Sequence, residues 1–228
     1  AREIMGYRRM PNIDLMVSLF GRPYIDVRNS FNSFLPDGLN ATISEKIVNA
    51  YLEILDNDPH LHDKIEFEIV FTCYDFTIDE NFKKRFKGIL KQKEEKKYKN
   101  LLKSLTIEAI TGSQRNTLHN SLELIKHLKE LQGNYRSLKY TEIMFVIDEI
   151  KTLIEECKKY GTLPFSNIAR HAFIAESLLR SLIIRGVIKE ERISIFKKSF
   201  MTIAGEMSRD LYKMKSGDFS AKEFFSVY

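Results

Sequence analysis

The fold turns on Leu15-Met16-Val17-Ser18-Leu19-Phe20-Gly21-Arg22-Pro23-Tyr24-Ile25-Asp26-Val27-Arg28. A short apolar run meets Gly21, which takes positive φ at little steric cost, and a second extended run follows. That order predicts two antiparallel strands joined by a tight reversal. Downstream, Ile65-Glu66-Phe67-Glu68-Ile69-Val70-Phe71 alternates apolar and acidic residues with period two, the pattern of a half-buried strand. Beyond residue 76 the periodicity becomes helical. Strands first and helices afterwards define an α+β chain, with a small antiparallel β-sheet near the N-terminus followed by a larger α-helical bundle. No repeat, low-complexity tract or Gly/Ser linker divides it, so residues 1–76 and 77–228 read as subregions of one domain.

Helix signals fill the rest. Thr42-Ile43-Ser44-Glu45 has the capping-box pattern and opens a helix, expected to pack across the sheet, that ends near Asp58-Pro59. A second box, Thr77-Ile78-Asp79-Glu80, opens a helix carrying Phe82, Phe86, Ile89 and Leu90. Leu118 to Leu131 repeats at helical steps and is predicted to stop at Gly133, and Tyr140 to Tyr160 is predicted to stop at Gly161. Ser166 to Arg185, closed by Gly186, is apolar over much of its circumference and reads as the central helix. Ile193 to Met214 reads as one long helix, and Ser220-Ala221-Lys222-Glu223 begins another.

The chain has 228 residues, 43% hydrophobic and 29% charged, enough to bury a substantial core. Thirty-six Lys and Arg against 31 Asp and Glu leave a net charge of +5, too modest to imply extended nucleic-acid binding. Cys73 and Cys157 have no CxxC or Cys/His spacing, which suits a reducing cytoplasm. No apolar run reaches the roughly 18 residues of a membrane span, and the first residues lack a signal-peptide core. The missing initiator Met and the end at Tyr228 read as a piece excised from a longer protein.

The chain holds no GxxxxGK[ST], GxGxxG, GxSxG or HExxH motif. Pro59-His60-Leu61-His62-Asp63 gathers two imidazoles, but in a loop opened by proline they need not share a face. Continued as a strand, Arg22 to Ser33 would put Tyr24, Asp26, Arg28, Ser30 and Asn32 on one polar face. Arg28 would then pair with Glu66 or Glu68 across neighbouring strands, or bind a ligand. On the helices, Glu176 and Arg180 form an i,i+4 pair, which leaves Arg170 as the freer cation in apolar sequence. Arg209-Asp210 follows the small-residue patch Ala204-Gly205. Nine Lys or Arg between Lys83 and Lys99 suggest a solvated basic helix, or alternatively a module that binds nucleic acid or an acidic partner.

Several patches resemble the central region of phosphoenolpyruvate synthase-like phosphotransferases, a group that includes pyruvate phosphate dikinase relatives and rifampicin phosphotransferase. The patches are Met5-Gly6-Tyr7-Arg8, Gly21 to Arg28 with Ser30 to Phe34, Leu61 to Glu68, Tyr160 to Phe165, and Gly205 to Asp210. They span nearly the whole chain and carry no chemical signature. The resemblance implies a central acceptor-binding or carrier-docking domain between an ATP-grasp domain and a swivelling phosphohistidine domain. ATP and Mg are then cofactors of the full-length enzyme, none belongs to this part, and a small-molecule acceptor is the ligand. Thr117-Leu118-His119-Asn120 lacks the glycines and alanine of the family's phosphohistidine neighbourhood, so this part alone should transfer no phosphate. The residues nominated for acceptor binding are Arg22, Tyr24, Asp26, Arg28 and Asn32 from the sheet side, with Arg170 and Arg209 from the helices.

Overall fold

The computed structural model describes residues 1–135 and 143–227. The chain forms two compact units, Ala1–Ser181 and Leu182–Tyr228. The fold is α+β: a two-stranded antiparallel sheet near the N-terminus is followed by helices.

β1 (Met16–Leu19) pairs with β2 (Arg22–Ile25) in a register that sets Leu19 opposite Arg22. Phe20 (φ 53°) and Gly21 (φ 74°) are therefore the two central turn residues, both left-handed, as the twist of a two-residue hairpin requires. All eight strand positions are exposed, so the helix expected from Thr42 onward does not pack across this sheet. β2 ends at Ile25 instead of continuing to residue 33. The Asp26 carboxylate accepts from the Asn29 N–H at 2.9 Å and caps α1 (Val27–Asn32).

α2 (Ala41–Asn57) starts earlier than its capping-box pattern suggests, because Asn40 Oδ1 accepts from the Ile43 N–H at 2.9 Å. Its Ile47, Val48 and Tyr51 enter a core shared with Phe31, Tyr98 and Leu102. The core side chains Phe31, Leu35, Ile47, Tyr51, Ile69, Tyr98 and Leu102 have no exposed surface, and each large apolar group contributes about 1.5–3 kcal/mol of transfer free energy. Tyr51 and Tyr98 satisfy their hydroxyls against each other at 2.8 Å, and Tyr51 Oη accepts from the Phe71 N–H at 3.1 Å.

Ile65–Ile69 is a short π-helical turn, which corrects the predicted strand. Among the described residues no strand lies beside it, so alternation alone cannot build a ladder. Arg85 satisfies the turn's carbonyls instead, donating to Phe67 O at 2.9 Å, Ile69 O at 3.0 Å and Val70 O at 3.2 Å. Burial holds the Arg85 pKa below its ordinary value.

The predicted basic helix is also interrupted. α3 (Ile78–Arg85) ends at Phe86, Gly88 takes φ 76°, and α4 (Gln92–Thr111) begins afresh. α5 (Thr117–Tyr135) runs through Gly133, the expected stop. α6 (Ile143–Glu156) passes through a π-helical segment, Cys157–Thr162, directly into α7 (Leu163–Ile184); residues 140–142 of the predicted helix lie outside the described residues. Gly161 does not stop the chain there. A Cβ on it would stand 3.2 Å from Leu128 Cδ2, so its role is to let the segment approach α5. The buried positions of α7 are Pro164, Asn167, Arg170, Ile174 and Ser181, a mostly polar inner face where an apolar circumference was expected.

In the second unit the predicted helix 193–214 is two helices, α8 (Glu190–Ser199) and α9 (Ile203–Ser216). Phe200 is extended, and Thr202 Oγ1 accepts from the Gly205 N–H at 3.1 Å, starting a new helix. The capping box before α10 (Ala221–Val227) forms as predicted: the Ser220 N–H donates to Glu223 at 2.9 Å and the Glu223 N–H to Ser220 Oγ at 3.2 Å. Among the described residues, no helix is long and apolar enough to cross a membrane.

Candidate ligand-binding site

A cleft of about 490 Å³ opens in the first unit, within the size range of small-molecule sites. Its lining includes Arg2, Arg8 and Arg170, together with Ser33 and an apolar wall of Met5, Met10, Ile13, Leu15, Phe165 and Phe173. The N-terminal segment builds one side. A 3₁₀ turn, Glu3–Met5, ends at Gly6 (φ 97°), which redirects the chain so that Tyr7 bridges Pro36 and the Arg8 N–H donates to Leu35 O at 2.7 Å. Tyr7 is buried and donates its hydroxyl to Thr72 O at 2.6 Å, and burial raises its pKa well above the phenol value.

The three guanidiniums differ in their partners. Arg170 makes a bidentate pair with Glu66, Nη1 to Oε2 at 2.6 Å and Nη2 to Oε1 at 2.8 Å, with its side chain only 9% exposed. Arg8 donates to Asn32 Oδ1 at 3.2 Å, Leu39 O at 3.0 Å and Ser44 Oγ at 2.7 Å. Arg2 donates to Ser33 Oγ and Ser30 O. The guanidinium carbons of Arg2 and Arg170 lie 3.6 and 5.0 Å from the Phe34 ring centroid, within cation–π range. Burial, and next the Arg170 charge, lower the Arg2 pKa from 12.5 to about 10.

Of the residues nominated from sequence, Arg170 lines this cleft and Asn32 reaches it through Arg8. Arg170 is not the freer cation expected, because Glu66 comes from the π-turn and meets it across 104 positions of sequence. The predicted polar strand face does not form. Arg22 and Tyr24 are exposed on β2, Asp26 is a helix cap, and Arg28 donates to Asn49 Oδ1 at 2.8 Å instead of pairing with Glu66 or Glu68. Arg209 is exposed on α9 in the second unit, 3.9 Å from Asp210. The i,i+4 pair Glu176–Arg180 forms at 2.9 Å. Arg2 and its stacking on Phe34 were not legible, since Ser33 is 31 residues away and no local pattern links them.

The other clusters offer less. His60 and His62 are exposed in a 3₁₀ turn, Pro59–Asp63, and no group of three or more metal-ligating side chains is assembled among the described residues. His119 is exposed on α5. Lys83 to Lys99 is split by the break at Gly88; Arg85 is turned to carbonyls, and Lys99 contacts Asp79 at 2.7 Å and Glu95 at 2.5 Å. A second cleft, of about 450 Å³, contains an anion position already filled by its own Glu108. That carboxylate accepts from the Arg115 N–H at 2.6 Å and the Gln114 N–H at 3.0 Å, which hold its pKa below the ordinary value.

Compared with models of protein families, with characterised proteins and with solved structures, the chain has no match in any of the three.

Proposed function

We propose that this chain is the acceptor-binding or carrier-docking domain of a multidomain phosphotransferase of the phosphoenolpyruvate synthase-like kind. The observation that supports the reading best is a cleft lined by Arg2, Arg8 and Arg170 together with several apolar side chains. Guanidiniums recognise phosphoryl oxygens in forked geometry, and an apolar wall holds the body of an organic acceptor. The chain supplies no phosphate-binding loop of its own, so nucleotide chemistry falls to neighbouring domains, with ATP and Mg as their cofactors. In this reading the partners are those domains and a small-molecule acceptor, in the cytoplasm.

The test is to read the natural gene on both sides of this segment and to follow phosphoryl transfer from ATP or phosphoenolpyruvate by the intact product. Flanking ATP-grasp and phosphohistidine segments together with turnover support the proposal. A complete gene with neither flank and no turnover refutes it.

A further inference from the structure

Charge in the cleft is unbalanced. Among the described residues, Arg8 and Arg2 hydrogen-bond only to neutral groups, namely Asn32, Leu39 O and Ser44 for the first and Ser33 and Ser30 O for the second. Glu3 also lines the cleft, but its carboxylate pairs with exposed Arg9 at 3.2 Å. Arg170 alone of the three cleft guanidiniums has a bidentate carboxylate, from Glu66. Arg2 and Arg8 are half-buried, and the carboxylate whose charge Arg2 feels is Glu66, already held by Arg170; a bound anion supplies charge that neither arginine pairs with directly. The same cleft is lined by Met5, Met10, Ile13 and Phe165, which suit an apolar body.

We infer that the cleft takes an amphipathic organic anion, a phosphate monoester on an apolar body, and that Glu66 competes with this anion for Arg170. Phosphate fits better than a lone carboxylate because one fork takes up both carboxylate oxygens, whereas the greater charge and extra oxygen of a phosphate monoester can serve more than one of the guanidiniums that line the cleft. The inference rests on the acceptor-binding reading and names the form the acceptor takes once phosphorylated, a phosphate monoester. It separates Glu66 from a plain structural partner. A structural carboxylate only stabilises the fold, whereas a competitor also weakens anion binding.

The test is isothermal titration of the chain with phenyl phosphate, phenol and inorganic phosphate, with folding of each variant checked by circular dichroism. Phenyl phosphate should bind most tightly of the three and weaken as salt rises. Arg2→Gln should lose at least about tenfold in affinity, as expected for one charge-assisted hydrogen-bonding group. Glu66→Gln should bind phenyl phosphate more tightly than wild type, and the ligand should raise its melting temperature by more than it raises that of wild type. A Glu66→Gln that binds phenyl phosphate no more tightly than wild type overturns the competition; should that variant fail to fold, Glu66→Asp, which keeps the charge and shortens the fork to Arg170, is read against the same expectation. Binding of phenol without preference for phenyl phosphate overturns the inference and leaves the acceptor reading standing. Binding of inorganic phosphate as tightly as phenyl phosphate overturns it as well, because the apolar wall then contributes nothing. Absence of binding by all three overturns both.

Discussion

Replacing Arg170 by Met tests its ion pair with Glu66. The substitution keeps an unbranched side chain of similar reach on the buried face of α7 and removes the guanidinium that engages both oxygens of Glu66. Breaking a buried ion pair by deleting one partner costs about 3–5 kcal/mol, since the other charge is left without compensation. The Glu66 side chain keeps 22% exposure, so water recovers part of that loss and the expected cost is at the lower end, about 3 kcal/mol. For a unit of 150–250 residues each kcal/mol shifts the melting temperature by about 2–4 °C, which places the fall at about 6–12 °C. Thermal unfolding followed by circular dichroism reads it. The double variant Arg170→Met with Glu66→Leu removes both charges and should regain most of the lost stability, giving a coupling of about 2 kcal/mol or more. A single-variant loss below about 0.5 kcal/mol, the range of ordinary surface changes, refutes the reasoning. So does a double variant whose loss equals the two single losses added together.

Two further predictions concern groups outside the cleft. Cys73 is 4% exposed and burial pushes its thiol up to about 12, whereas Cys157 is exposed; titration with a chromogenic disulfide at pH 8 should release one equivalent quickly and the second only on unfolding. Two equally fast thiols would contradict this burial. His171 donates to the Ala109 carbonyl and its Nε2 lies 2.8 Å from Thr117 Oγ1, and desolvation lowers its pKa below 6.5. The unfolded chain therefore takes up this proton first as pH falls, so stability should decline from about pH 6.5 down through the folded-state value, and His171→Gln should flatten that part of the curve. Stability that stays level or rises on acidification across that window would contradict the sign.

What was legible in the sequence is what short-range chemistry decides. Gly21 between two apolar runs suffices to announce the hairpin, although the turn falls one residue earlier than Gly21-Arg22, at Phe20-Gly21, where both positions are left-handed and Leu19 pairs with Arg22. Ser220 and Glu223 suffice for a cap, since both partners lie within one turn. The segment 65–71 misled because period two records alternation and says nothing about a neighbouring strand. Here Arg85 and Arg170, both distant in sequence, claim its carbonyls and its carboxylate instead. The polar strand face failed for a local reason: Asp26 can cap a helix as readily as it can extend a strand, and it caps. Arg170 was found because a cation in apolar sequence is scarce, but that signal carried no word of its carboxylate. Arg2 carried no signal, as its partners Ser33 and Phe34 are brought to it only by the turn at Gly6 and the pairing of Tyr7 with Pro36.

In the proposed function the arginine-lined cleft receives the acceptor of a phosphotransferase. The most direct measurement is the acceptor KM of the intact natural polypeptide, with wild type and Arg2→Gln compared in a phosphoryl-transfer assay after both are shown to be folded. KM should rise at least about tenfold in the variant, the loss of one charge-assisted contact. An intact polypeptide that transfers phosphate with the same KM in both forms, or that transfers none, would contradict it.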